Sequence, residues 1–151
     1  MKTLTRTQHL PIKIEEAWDF FSNPLNLKEI TPDYMGFEIT NQKDLTEMHP
    51  GMIITYIVKP LLNIPMNWVT EITQVKKPWY FVDSQLSGPY AYWHHQHFFR
   101  ETATGVEMKD IVNYAAPFGW IGRGAEYLIV NKKVVEIFDF RYKKLNQIFQ
   151  R

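Results

Sequence analysis

The sequence predicts an α+β fold in which a curved antiparallel sheet of about seven strands wraps a long C-terminal helix, with two short helices after the first strand. Between Tyr34 and Ala116 apolar residues alternate with period two, broken only by short turn-forming stretches, and such short connections make antiparallel neighbours. No proline follows Pro117, and from about Gly124 apolar residues recur at steps of three and four along roughly seven turns of helix. The concave face of a twisted sheet is the surface that can bury so long a stripe.

Residues 3–10 read as the first strand. After Pro11, the side chains Ile14, Ala17, Trp18 and Phe21 fall at i, i+3, i+4 and i+7, which makes one amphipathic helix. Asn23-Pro24 ends it, and residues 24–30 suit a second short helix that Thr31-Pro32 stops. Strands are expected near 34–42, 51–59, 66–76, 79–86, 90–102 and 105–116, separated by stretches rich in Asn, Asp, Gly, Pro and Lys. On the last helix the expected buried stripe is Leu128, Val135, Phe138, Tyr142, Leu145 and Phe149, with Lys132, Lys133, Lys143 and Lys144 mostly off it. Without repeats, low-complexity tracts or linkers, residues 1–151 read as one domain.

Lys plus Arg number 17 against 16 Asp plus Glu, so the basic excess that nucleic-acid binding demands is missing. The absence of cysteine excludes disulfides, thiolate metal sites and thiol nucleophiles. No apolar leader opens the chain and no apolar run approaches a membrane span, so a soluble cytoplasmic protein without stable membrane insertion is expected. Aromatic residues make up 15% of the chain, which suits a wide core or a lined pocket.

Three histidines sit in residues 92–100, and strand alternation puts His95 and His97 on the inner face with Trp93 and Phe99, and His94 on the other. If residues 102–105 close a tight hairpin, Phe99 faces Met108, His97 faces Asp110, His95 faces Val112 and Trp93 faces Tyr114. A His–Asp pair then lies on the concave aromatic face. Three readings remain open for it: a buried polar pair that satisfies itself, a ligand contact or acid/base pair, or part of a metal site. His95, His97 and Asp110 supply three positions of an open zinc or iron site but no fourth ligand is evident, so neither metal nor cofactor is expected.

Residues 60–66 are richer in Leu, Ile and Met than a loop should be, and read as a lid, as a patch for a membrane or partner, or as a segment tucked under the long helix. Residues 118–124 are glycine-rich, but their spacing is not the dinucleotide fingerprint; the glycines let the chain turn from sheet to helix. Asp83 and Gln85 share one strand face, and Arg141 lies amid apolar helix residues, either pairing with a carboxylate or snorkelling. No nucleophile elbow, Walker loop or paired catalytic carboxylate spacing is present, which disfavours a serine hydrolase or an NTPase.

The order of elements, with the motifs Phe81-Val-Asp-Ser-Gln85, Gly88-Pro-Tyr90, Trp93-His-His-Gln-His97-Phe98, Met108-Lys-Asp110, Tyr114-Ala-Ala-Pro117 with Gly119, and Ile137-Phe-Asp-Phe-Arg141, resembles a bacterial branch of the SRPBCC superfamily. These are START-like or Bet v 1-like helix-grip proteins, and the resemblance spans nearly the whole chain. It implies a seven-stranded sheet around the C-terminal helix and an apolar cavity that holds lipids, polyketides or other hydrophobic small molecules. Relatives include carriers, polyketide cyclases and dehydrases, chaperone-regulating domains and oxygenase subunits, whose larger insertions and full metal set this chain lacks. The expected function is binding of a hydrophobic small molecule without catalysis, in a pocket lined by Trp68, Trp93, His95, His97, Met108, Asp110, Tyr114, Leu128, Val135 and Phe138. A cyclase- or dehydrase-like enzyme using His97 and Asp110, or a protein-interaction module, are the alternatives.

Overall fold

The computed structural model describes residues 1–117 and 124–150, and of residues 125–127 only the backbone. The segment 118–124, assigned above to the turn from sheet to helix, lies outside the described residues except for Gly124. Strand β1 (Lys2–Leu10) leads through Pro11 into helix α1 (Ile14–Phe21), which buries Ile14, Ala17 and Trp18. The second short helix forms as a 3₁₀ turn, Pro24–Lys28, with the Asn23 side chain accepting the Leu25 N–H. The sheet continues with β2 (Glu38–Ile39), β3 (Ile53–Val58), β4 (Met66–Lys76), β5 (Tyr80–Ser87), β6 (Tyr92–Thr102) and β7 (Gly105–Ala115), before α2 (Ala125–Phe149) closes the chain. All seven strands form one antiparallel sheet in the order β1-β7-β6-β5-β4-β3-β2.

The strand expected over 34–42 shrinks to two residues. Asp33–Met35 is a 3₁₀ turn that ends on Gly36 at φ +54°, a left-handed conformation that interrupts any strand. Gln42–Asp44 is another such turn, so only Glu38 and Ile39 reach β3.

Helix α2 buries Val134, Ile137, Phe138, Arg141, Leu145 and Phe149. Its inner face steps by four, three and four from Val134 through Phe138 and Arg141 to Leu145, which rotates it away from part of the expected stripe. Leu128 is 69% exposed, Tyr142 is 43% exposed, and Val135 is half-buried while Val134 is fully buried. The charge on Arg141 hid the face from a hydrophobic count, because a cation was not expected on the inner side.

Two polar ties fix α2 to β1. Gln8 Nε2 donates to the Tyr142 carbonyl at 2.9 Å and to Asn146 Oδ1 at 2.8 Å, and Arg6 pairs with Asp139 at 2.9 Å. Gln8 is itself buried, so losing these acceptors would strand a desolvated amide.

The β6–β7 hairpin closes from Thr102 to Gly105, with the expected pairs Phe99↔Met108, His97↔Asp110, His95↔Val112 and Trp93↔Tyr114. Gly105 has φ +152°, and a Cβ there would drive into the Leu10 carbonyl oxygen of β1. We expect Gly105→Ala to lower stability by about 1–3 kcal/mol, read from the midpoint of urea unfolding.

Candidate functional site

Strand alternation brings one polar group after another to the concave face. On β5 that face carries Phe81 and Asp83, on β6 Trp93, His95, His97 and Phe99, and on β7 Met108, Asp110 and Val112; β5 pairs Asp83 opposite His95 and Phe81 opposite His97. From the other side α2 presents Phe138 and Arg141. Between them lies a cavity of about 120 Å³ whose wall includes all four of Asp83, His95, His97 and Asp110. Its remaining surface is mostly apolar, from Met35, Ile54, Ile72, Phe81 and Ile137 among others, and residues of the 20–31 segment complete it.

The polar cluster links all four residues but leaves one side open. His95 Nε2 donates to Asp110 Oδ1 at 2.8 Å, and His97 Nδ1 approaches the same oxygen at 3.2 Å. The other nitrogen of His97, Nε2, donates to Asp83 Oδ2 at 2.7 Å, while His95 Nδ1 stands 3.8 Å from that oxygen. The two imidazoles lie with centroids 3.6 Å apart, and Phe81 stacks on His97 at 4.0 Å and 17°. Phe138 meets the edge of His95 at 5.5 Å.

The surroundings drive the two histidines apart. Burial, aided by the neighbouring charge of His97, pushes His95 down to about 4, although Asp110 opposes the shift. Burial also depresses His97, but hydrogen bonds to Asp110 and Asp83 and their negative charges outweigh it and raise His97 above its ordinary value. Burial would raise both carboxyls, yet His97 and His95 hold Asp83 and Asp110 below the usual range. His95 is therefore neutral near pH 7, with Nε2–H on Asp110, and of the two rings His97 is the one whose protonated form is favoured.

Arg141 is 9% exposed and its Cζ sits 4.9 Å from the Phe138 ring centroid. Its buried Nε has no hydrogen-bond partner, and among the described residues no carboxylate lies within ion-pair distance of its guanidinium. Burial lowers its pKa, against the pull of Asp110 and Asp83. Trp68 Nε1, on a residue of the same cavity wall, is a second buried donor with no partner.

Of the residues expected to line a pocket, Trp68, Trp93, His95, His97, Met108, Asp110 and Phe138 border this cavity. Tyr114 is buried away from it, donating its hydroxyl to Asn131 Oδ1 at 2.9 Å. Val135 and Leu128 are corrections: both are off its wall, because one helix position is a rotation of about 100° and Leu128 faces outward. Asp83 and Arg141 belong to the site and were not assigned to it from sequence. Their signals were the shared face of Phe81 and Asp83 and the spacing of Arg141 from Phe138 and Leu145. The loop at 60–66 does not border the cavity. Leu62 is 78% exposed and Ile64 56%, so these side chains are not tucked under α2.

No protein-family model matches the chain, and no curated protein matches it by sequence. Solved structures do. The chain is similar to the Zhui aromatase/cyclase from Streptomyces sp. R1128, with a TM-score of 0.76 at 9% identity over 95% of this chain and 90% of that one. Protein Ms6760 from Mycobacterium smegmatis gives 0.69 at 19% identity over 97% and 89%. Ara h 8.0201 gives 0.61 at 12% identity over 97% and 98%. The chain has the SRPBCC, or Bet v 1-like, helix-grip fold: a seven-stranded antiparallel sheet curved around a C-terminal helix, with short helices after β1. Among the described residues no helix is long and apolar enough to cross a membrane.

The shift on His95 sets the sign of a pH effect. Its folded pKa of about 4 lies below the unfolded value near 6.5, so the unfolded chain binds more protons between those values and acid favours unfolding. We expect this residue to remove on the order of 3 kcal/mol of stability as pH falls from about 7 to 4, so that His95→Gln flattens the acid limb of a stability–pH curve. The imidazole C–H resonance of His95 should titrate near 4 by NMR, whereas a midpoint near 6.5 would show a solvated ring.

Proposed function

We propose that the protein binds a small, largely apolar molecule in this cavity, with the molecule's polar end directed at Arg141 and the His–Asp cluster. The observation that carries the reading is a mostly apolar cavity whose wall includes the desolvated His–Asp cluster and the buried residue Arg141. A sealed, fully packed interior would have favoured the interaction-module alternative, and the cavity weighs against that.

The cavity volume narrows the class. About 120 Å³ falls below the several hundred typical of drug-sized sites and is comparable to the ~150 Å³ cavity that takes up benzene. A single-ring or short-chain compound with a carbonyl, carboxylate or phenol group fits, and a folded polycyclic chain requires expansion. Simple compounds such as benzoate, phenol and indole are the probes, and Trp68 and Trp93 on the wall make intrinsic fluorescence the readout. Met108→Trp, which fills the space, should abolish binding by any compound that wild type binds. Arg141→Gln should weaken a carboxylate probe about tenfold or more while leaving an apolar ring of the same size nearly unaffected. Equal affinity of wild type and folded Met108→Trp would refute the assignment.

A second reading rests on His97, an imidazole held beside the cavity between two carboxylates that favour its protonated form. It could deliver a proton to a bound carbonyl and recover it from carbon, as a cyclase or dehydrase requires. An activity of this kind would show a bell-shaped pH profile and would fall at least 100-fold in His97→Ala.

A further inference from the structure

We propose that Asp83, His95 and His97 form a site for one divalent first-row transition ion, with Asp110 orienting both imidazoles from behind. The expectation of no metal rested on the lack of a fourth ligand beside His95, His97 and Asp110; the geometry gives Asp83 as the carboxylate ligand, and an open three-ligand site leaves its other positions to the cavity. Asp83 Oδ2 lies 2.7 Å from His97 Nε2 and 3.8 Å from His95 Nδ1, and one ligand atom from each residue lies within 4.8 Å of the others. Bonds of about 2.0–2.1 Å place neighbouring ligand atoms about 3 Å apart, so these separations bracket what an ion needs.

The second observation is what lies behind the ligands. His95 Nε2, on the far side of its ring, hydrogen-bonds Asp110 Oδ1 at 2.8 Å, and His97 Nδ1 lies 3.2 Å from the same oxygen. Metal-binding histidines characteristically pass their other N–H to a carboxylate in this way, which fixes the tautomer and aims the free lone pair. A cluster built only to satisfy itself would engage every ring nitrogen. Here His95 Nδ1 makes no hydrogen bond among the described residues and stays 3.8 Å from Asp83 Oδ2.

Two imidazole nitrogens and one carboxylate oxygen suit Zn²⁺, Fe²⁺ or Co²⁺ better than Ca²⁺ or Mg²⁺, which prefer all-oxygen shells. The incoming ion replaces the proton between His97 Nε2 and Asp83 Oδ2, and that proton leaves to solvent. All three ligand residues border the cavity, so the ion's remaining positions open toward whatever small molecule occupies it. Ion binding needs no organic ligand, so it succeeds or fails separately from the reading given above.

The test is calorimetric titration of Zn²⁺ into EDTA-stripped, dialysed full-length protein, repeated on variants whose folding is checked by circular dichroism. The expected result is one ion per chain, weakened 100-fold or more in Asp83→Asn and in His95→Ala, and 10–100-fold in Asp110→Asn. His94→Ala should match wild type, since that side chain pairs with Ser84 at 2.9 Å outside the site. Long-range proton–nitrogen NMR on zinc-loaded wild type identifies the ligating nitrogens independently of any variant, and should find His95 Nδ1 and His97 Nε2. The proposal is overturned by no saturable one-to-one binding, by affinity unchanged in folded Asp83→Asn, by equal loss in His94→Ala, or by coordination through His95 Nε2.

Discussion

Asp110 is an ionised carboxylate 1% exposed in the middle of a sheet, and the arrangement of the interior follows from its desolvation. An isolated charge in such a place is costly enough that it would take up a proton. Two donors from one neighbouring strand prevent this, His95 by direct hydrogen bond and His97 slightly farther away. His97 in turn hydrogen-bonds Asp83 on the next strand, whose carboxylate favours its protonated form. Each buried polar group thus calls for another, and the sequence spreads the chain across β5, β6 and β7, where period-two alternation turns them all to one face. Rigid strands rather than loops hold these atoms, so their geometry is fixed before anything binds.

The aromatic residues have a corresponding division of labour. Phe37, Tyr56, Trp68, Tyr90 and Trp93 stand in a continuous succession of rings, with centroids 4.7–5.3 Å apart, and fill one part of the interior. Trp18 meets Phe81 and Phe99 edge-on and closes the interior beneath α1. Open space is left between these groups, beside the polar cluster. An interior this rich in large side chains therefore encloses a modest volume rather than a wide one, with a mostly apolar wall broken by the polar cluster.

The features legible in the sequence are those under local control. A two-residue hairpin loop fixes register by arithmetic, so the turn from Thr102 to Gly105 places His97 opposite Asp110 by counting alone. Side chains lean along their strands, however, and the shorter bond to Asp110 comes from His95, one pair further along. The relation of Asp83 to this pair was illegible because residues 88–91 form a looser connection between β5 and β6, which does not fix their register by counting. Arg141 escaped for a different reason: hydrophobic periodicity counts apolar residues, and a desolvated cation on the inner face breaks the count where function is most concentrated. The strand at 34–42 failed because Gly36 and its neighbours form turns, which an alternation pattern does not register.

The pairing of β1 with β7 runs from Lys2↔Tyr114 to Leu10↔Val106, joining the beginning of the chain to a strand about a hundred residues later. Contacts this distant in sequence bear a large loop-closure entropy and slow the search for the native state. During synthesis β1 has no sheet partner until β7 has emerged, and Gln8 has no acceptors until the last turns of α2 follow. For most of its time on the ribosome the protein is thus an incomplete sheet with an uncovered concave face, and the step that seals the interior is among the last. Truncation within α2 would therefore leave the polar cluster open to water rather than merely shorten a helix.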